Sequence, residues 1–277
     1  MTSIIHFKRI ALAGLVVLFC MAADAQGGES PWRPLDEGLA LSLFRENPPA
    51  SDLLVVLKVN PVYYELKLLT STEEGKSGTT LKGWCVAFGL EAAINASMYL
   101  EDGRKSTGFM KNYDHVNNPR VNARFGAFLV FNPKEASLPP VQIVDREHQD
   151  WKDLIGRYET VVQNYRLIAL DGKNAWKNRS DDRRFSAAAI AMDDEGNILF
   201  IFSREPRNVH DFANRLLTLP LKIRNAMYVE GGKDAGLFIA SLPGGIPDRA
   251  ALSILEGDEG YASPLVPNVI GIRKVKR

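Results

Sequence analysis

Short apolar blocks separated by polar turn residues recur along almost the whole chain, and their lengths predict a protein built mainly from strands. The clearest series lies between Phe185 and Gly232. Ala187-Ala188-Ala189-Ile190-Ala191-Met192 is followed by the turn cluster Asp193-Asp194-Glu195-Gly196-Asn197 and then by Ile198-Leu199-Phe200-Ile201-Phe202, the pattern of an antiparallel hairpin. Val209 to Leu219 places Phe212, Leu216 and Leu219 at helical spacing, and Pro220 stops that helix. Ala226-Met227-Tyr228-Val229 then reads as a buried strand that delivers Glu230 to its end. Gly231-Gly232 follows, where positive φ is accessible and a ligand can approach the backbone closely.

The same reading extends upstream. Leu39 to Phe44, Asp52 to Val59 and Tyr63 to Leu69 read as three successive strands that open an antiparallel sheet. Thr80 to Gly89 predicts a helix with Leu81, Trp84, Cys85 and Phe88 on one face and Gly89 just past its end. Glu91 to Tyr99 reads as a buried strand ending in small polar residues, and residues 100–124 read as loop. Further strands are expected at Phe125 to Phe131, Val141 to Val144 and Tyr165 to Leu170, the last ending at Asp171-Gly172, with one helix inside Trp151 to Gln163. Gly236 to Ala240 and Val269 to Ile272 complete the set. About ten strands against three or four helices, without regular βαβ alternation, predict an α+β fold: a single domain with a mixed, largely antiparallel β core and a few covering helices.

The first 25 residues change this picture. Lys8-Arg9, the apolar run Ile10 to Ala22 and Ala23-Asp24-Ala25 have the form of a signal peptide cleaved before Gln26, which leaves residues 26–277 as the domain. A membrane anchor is the alternative, but thirteen apolar residues are short for a bilayer. Cys20 raises a lipoprotein alternative, against which the bulky Phe19 argues. The expectation is an exported protein, periplasmic or secreted, with no stable membrane span after cleavage. Of 34 basic and 33 acidic side chains, the leader removes Lys8, Arg9 and Asp24, so the mature chain is formally neutral. With no basic stripe, nucleic acid is an unsuitable partner. Cys85 is the sole cysteine left after cleavage; no intramolecular disulfide can form, and the thiol reads as a small buried hydrophobe.

No dinucleotide-binding glycine pattern, Walker A loop, His-Glu-x-x-His or Gly-x-Ser-x-Gly elbow is present, and the scattered histidines do not make a metal site. What remains is a pattern at three strand ends: Asn95-Ala96-Ser97, Asp171-Gly172 and Glu230-Gly231-Gly232. Each sets polar residues among small ones after an apolar run. They converge on one pocket if the strands are neighbours, and are ordinary strand-terminating turns if not.

These segments resemble the phosphodiester glycosidase family. Ala93-Ile94-Asn95-Ala96-Ser97-Met98-Tyr99 is similar to the family's Ile-Asn-Ala/Gly-Gly-Phe-Phe, with Gly108 matching the glycine that follows it. Val161 to Ile168 with Asp171-Gly172, Arg184 with the hairpin through Asp193, and Asn225 to Gly232 match further segments in order, over roughly residues 35–240. Glu230 stands where the family usually has Asp, Ser97 where it has Gly, and Asn164-Tyr165 replaces a small-Gly-Pro approach. The resemblance implies an exported hydrolase that cleaves a sugar from a phosphodiester or related glycosidic linkage, with a carbohydrate or sugar phosphate as partner. In that reading Glu230 is one catalytic carboxylate and Asp171 the second. Arg184 pairs with the phosphate, Asn95 and Gln163 hydrogen-bond sugar hydroxyls, and Gly231 and Gly232 offer main-chain N–H groups. No cofactor is firmly implied, although an Asp/Glu-lined phosphate site could recruit Ca²⁺ or Mg²⁺. A non-catalytic module that holds a glycan or sugar phosphate in the same pocket is the alternative.

Overall fold

The computed structural model describes residues 32–45, 53–177, 182–240 and 264–276. The expected signal peptide lies outside them. The chain from Pro31 to Arg277 forms one compact unit, and its strands assemble into two sheets whose pairings are antiparallel.

The large sheet has eleven strands. Its centre is the expected hairpin, β11 (Phe185–Asp193) and β12 (Ile198–Arg207), flanked on one side by β3 (Leu53–Val59), β2 (Leu39–Arg45) and β1 (Arg33–Asp36). On the other side lie β13 (Ile223–Gly231) and β10 (Tyr158–Ile168). Beyond these come the hairpin of β6 (Met110–Asn112) and β7 (His115–Asn118), and the pair β8 (Ala127–Pro133) and β9 (Val141–Asp145). The smaller sheet has the order β14 (Leu237–Ile239), β5 (Ala92–Asn95), β15 (Asn268–Lys274), β4 (Tyr64–Thr70). The last strand of the chain is thus inserted between two early ones.

The main core lies between the sheets, where Leu41, Leu57, Ile190, Phe200 and Met227 meet Leu66, Leu68, Ile94 and Ile270. Strand β11 shows how the sequence sets both faces. Ala188, Ile190 and Met192 fill this core, while the alternate positions Ala187, Ala189 and Ala191 are small enough to seat α3 (Val209–Thr218) through Phe212, Ala213 and Leu216. Helix α1 (Leu81–Phe88) covers the outer face of the small sheet with Leu81, Trp84 and Cys85. Thr80 caps it by accepting the Gly83 N–H at 3.0 Å, and Gly89 ends it in the left-handed conformation at φ 61°. Burial and the Glu91 charge push the Cys85 thiol up to about 12, in keeping with a small buried hydrophobe.

Two expectations need correction. The strand after Asn60-Pro61 does not extend the first sheet; β4 crosses to the other sheet and pairs with β15 over seven positions. Residues 100–124 contain β6 and β7, whose polar side chains bond across to neighbours, as Asn117 does to Thr72 at 2.7 Å and Asn112 to Thr160 at 2.9 Å. The helix expected within Trp151 to Gln163 is present as the six-residue α2 (Trp151–Gly156), and from Tyr158 on the segment belongs to the eleven-residue β10.

Candidate active site

Glu230 lies one residue before the end of β13. Ala188 of β11 pairs with Glu230 and Ala189 with Tyr228, so Val229 is an extra residue in β13. Such a bulge re-aims the side chains that follow it. Gly231 and Gly232 then lead into a short 3-10 turn, Gly232–Asp234, with Gly232 at φ 74°.

Glu230 is 7% exposed. Burial raises its pKa to about 7; the Gly231 N–H, donating to Oε1 at 3.0 Å, works in the opposite direction, and the negative charge of Asp234 raises it again. Near neutral pH the group therefore exchanges between acid and carboxylate. Asp234 accepts a hydrogen bond from the Tyr99 hydroxyl at 2.9 Å, and burial together with that bond pushes the Tyr99 phenol up to about 12. The result is two carboxyl groups four residues apart: one buried and proton-holding, the other half-buried and held by a phenol.

Asn95 holds this turn in place. Its amide donates to the Asp234 carbonyl at 2.8 Å and its oxygen accepts the Gly236 N–H at 2.8 Å. The turn that follows Glu230 is thereby held against the end of β5. Asn95 spends its oxygen and one amide proton on the Asp234–Gly236 backbone, so its main part here is to position Asp234.

Gln163 corrects the expectation of a sugar-binding amide. It is fully buried; its oxygen accepts the N–H groups of Phe109 and Asn122, and its amide donates to the carbonyls of Asn122 and Phe125. All four bonds go to the backbone, and Gly108 packs so closely beside it that a Cβ would lie 2.6 Å from the Gln163 carbonyl oxygen. Gln163→Ala would orphan these groups. A loss of about 3 kcal/mol or more is expected in chemical denaturation, since each buried unsatisfied group costs roughly 1–3 kcal/mol.

Asp171 does not join Glu230. Strand β10 runs antiparallel to β13, pairing Tyr165 with Tyr228 and Ile168 with Ala226, so the end of β10 that leads to Asp171 points away from Glu230. At ~3.3 Å per residue the two strand ends are roughly 15 Å apart. Asp171 is exposed and bonded to Lys173 at 2.8 Å. Asp171→Asn is expected to change stability by less than ~0.5 kcal/mol and to leave turnover at the wild-type level. Arg184 is exposed and directly precedes β11, at the same end of the sheet as Gly231, which pairs with Ala187. The Ser186 hydroxyl donates to the Gly232 carbonyl at 2.6 Å, tying that approach to the Gly-Gly turn.

Asp234 and Tyr99 were missed in the sequence. A signal was there, in a second carboxylate four residues after Glu230 across Gly231-Gly232. Among the described residues no group of three or more His, Cys, Asp or Glu side chains is placed to hold a metal ion.

A profile of the phosphodiester glycosidase family matches residues 88–273, about two thirds of the chain. The chain belongs to the phosphodiester glycosidase family. Membership places it among glycosidase-type hydrolases and runs from the end of α1 through β15, later at both limits than the 35–240 likeness. The fold is similar to the zebrafish N-acetylglucosamine-1-phosphodiester alpha-N-acetylglucosaminidase catalytic domain auto-inhibited by its pro-peptide, with TM-score 0.59 and 11% identity over 88% of this chain and 86% of that one. It is also similar to a hypothetical protein from Synechocystis, with TM-score 0.59 and 14% identity over 91% of this chain; the match spans 65% of that longer chain. No curated protein sequence matches it significantly.

Proposed function

We propose that this phosphodiester glycosidase is an exported hydrolase, periplasmic or secreted, that releases a sugar from a phosphodiester or related glycosidic linkage, with Glu230 as its proton donor. The observation that carries the reading is the buried Glu230 carboxyl with a pKa of about 7, beside Asp234 at the end of the sheet. Breaking a glycosidic bond leaves charge on the departing oxygen, and a carboxylic acid that still holds its proton near neutrality can neutralise it. Asp234 is suited to the second part, stabilising positive charge at the anomeric carbon or activating water. The exposed Arg184 guanidinium, at the same end of the sheet, suits the phosphate oxygens. The one-carbon longer Glu230 gives the acid a greater reach than the Asp usual in the family.

The test is release of free sugar from a panel of sugar-1-phosphodiesters, an N-acetylglucosamine one among them. Turnover is expected to fall as pH rises through about 7, where the acid loses its proton. Arg184→Ala is expected to raise KM at least tenfold. Saturable binding of the same compounds without turnover would replace this reading with a glycan-binding module.

A further inference from the structure

A cavity of about 300 Å³ opens on the large sheet beside Tyr165 and Trp176. Arg124, Arg166 and Lys177 line it against a single carboxylate, Glu147. Arg166 is already engaged with Asp145 and Glu147. Burial works against the Asp145 carboxylate, yet the N–H groups of Leu170 and Glu147 and the Arg166 guanidinium hold its pKa below the usual range. Arg166 is therefore a fixed wall. Arg124 and Lys177 are exposed, and among the described residues neither has an ion-pair partner. The floor is Gly126, where a Cβ would lie 3.1 Å from the Cβ of Arg166.

The aromatic wall leads toward Glu230. Tyr165 and Trp176 meet edge to face at 5.1 Å, and Trp176 lies 5.8 Å from Tyr228. The Tyr228 hydroxyl occupies the space a side chain at Gly231 would need. Both aromatic rings are only partly buried, so each keeps a face or edge for a ligand. Flat aromatic surface takes the apolar C–H face of a pyranose ring, and two exposed cations take an anion fixed to it.

We infer that this cavity binds an anionic hexose, one bearing a carboxylate or a phosphate, with its ring on Trp176 and its charge between Arg124 and Lys177. Lying one aromatic ring away from Tyr228, it seats the leaving-group side of the substrate, an assignment that rests on the hydrolase reading above. The cavity is too small for a long glycan and its charge is wrong for a cation.

Calorimetric titration of wild type and Glu230→Gln with glucuronic acid, glucose 6-phosphate, glucose and inorganic phosphate tests it. Both anionic hexoses are expected to bind at least tenfold more tightly than glucose or inorganic phosphate, and the tighter of the two identifies the anion. Arg124→Ser and Lys177→Ser, at exposed positions that leave the fold alone, are each expected to weaken binding at least threefold, and Trp176→Leu at least tenfold. Higher salt weakens the anionic ligands more than glucose. Equal binding of glucose, inorganic phosphate binding as tightly as glucose 6-phosphate, or affinities untouched by the three substitutions would overturn the assignment. Because binding is also read in the Glu230→Gln protein, failed turnover does not decide it.

Discussion

Glu230→Gln is expected to abolish turnover, by about 10²–10⁴-fold, while making the protein more stable at alkaline pH. General acid–base groups contribute that range of rate. The stability gain follows from linkage. The folded-state pKa of about 7 lies above the ordinary glutamate value of 4.5, so between these values the folded protein binds more protons than the unfolded chain. Stability therefore falls as pH rises from about 4.5 to about 7, and the full penalty persists above. At 1.36 kcal/mol for each tenfold step in acidity, it approaches about 3 kcal/mol by pH 8. Glutamine keeps the acceptor for the Gly231 N–H and never ionises, so the variant should escape that penalty. Denaturant titrations at pH 4.5 and pH 8 check this: wild type should lose stability between them relative to the variant. Equal pH dependence would mean that Glu230 titrates as an ordinary glutamate.

Gly231→Ala is expected to cost about 1–3 kcal/mol of stability, the usual range for overpacking a tight site, and to cut turnover at least tenfold. Its backbone is extended, at φ −143°, so any residue could adopt it. The obstacle is steric: an alanine Cβ would lie 1.8 Å from the Tyr228 hydroxyl. That contact has a specific relief. Phenylalanine at position 228 removes the oxygen and leaves the ring carbon 3.1 Å away, so Tyr228→Phe combined with Gly231→Ala should recover most of the lost stability. Additive effects in that double-mutant cycle would show that backbone freedom, not the phenol, requires the glycine. The phenol's proximity to Glu230 also appears electrostatically, since burial first and then the Glu230 charge hold the Tyr228 pKa well above the usual phenol value.

Local patterns were legible in the sequence wherever one element carried its own signal. Thr80 and Gly89 bracket α1, Pro220 follows α3, and the Asp193–Asn197 cluster turns the central hairpin. Glu230 could be picked out because a charge beside two glycines interrupts an otherwise apolar strand. Elements stabilised from outside were not legible. Strands β6 and β7 have little apolar alternation, and their polar residues are satisfied by Thr72 and Thr160 from distant segments and by the Ser106 carbonyl just upstream. In the segment read as containing a helix, Leu154, Tyr158 and Val161 fall at helical spacing, yet β8 pairs with β10 from Tyr158 and recruits the latter two into the sheet. The site divided along the same line. The local composition of a strand end singles out Asp171, and the antiparallel run of β10 against β13 carries it away. Asp234 comes beside Glu230 because the bulge at Val229, the 3-10 turn and Asn95 act together. A three-part arrangement of that kind has no signature in a single segment.

Whether Glu230 holds a proton near neutral pH is read by carbon-13 NMR titration of protein labelled at the glutamate side-chain carboxyls. One resonance should titrate near pH 7 and be absent from Glu230→Gln, with the remaining spectrum unchanged. If the resonance that disappears in the variant instead titrates near 4.5, Glu230 is ionised at working pH and cannot be the proton donor.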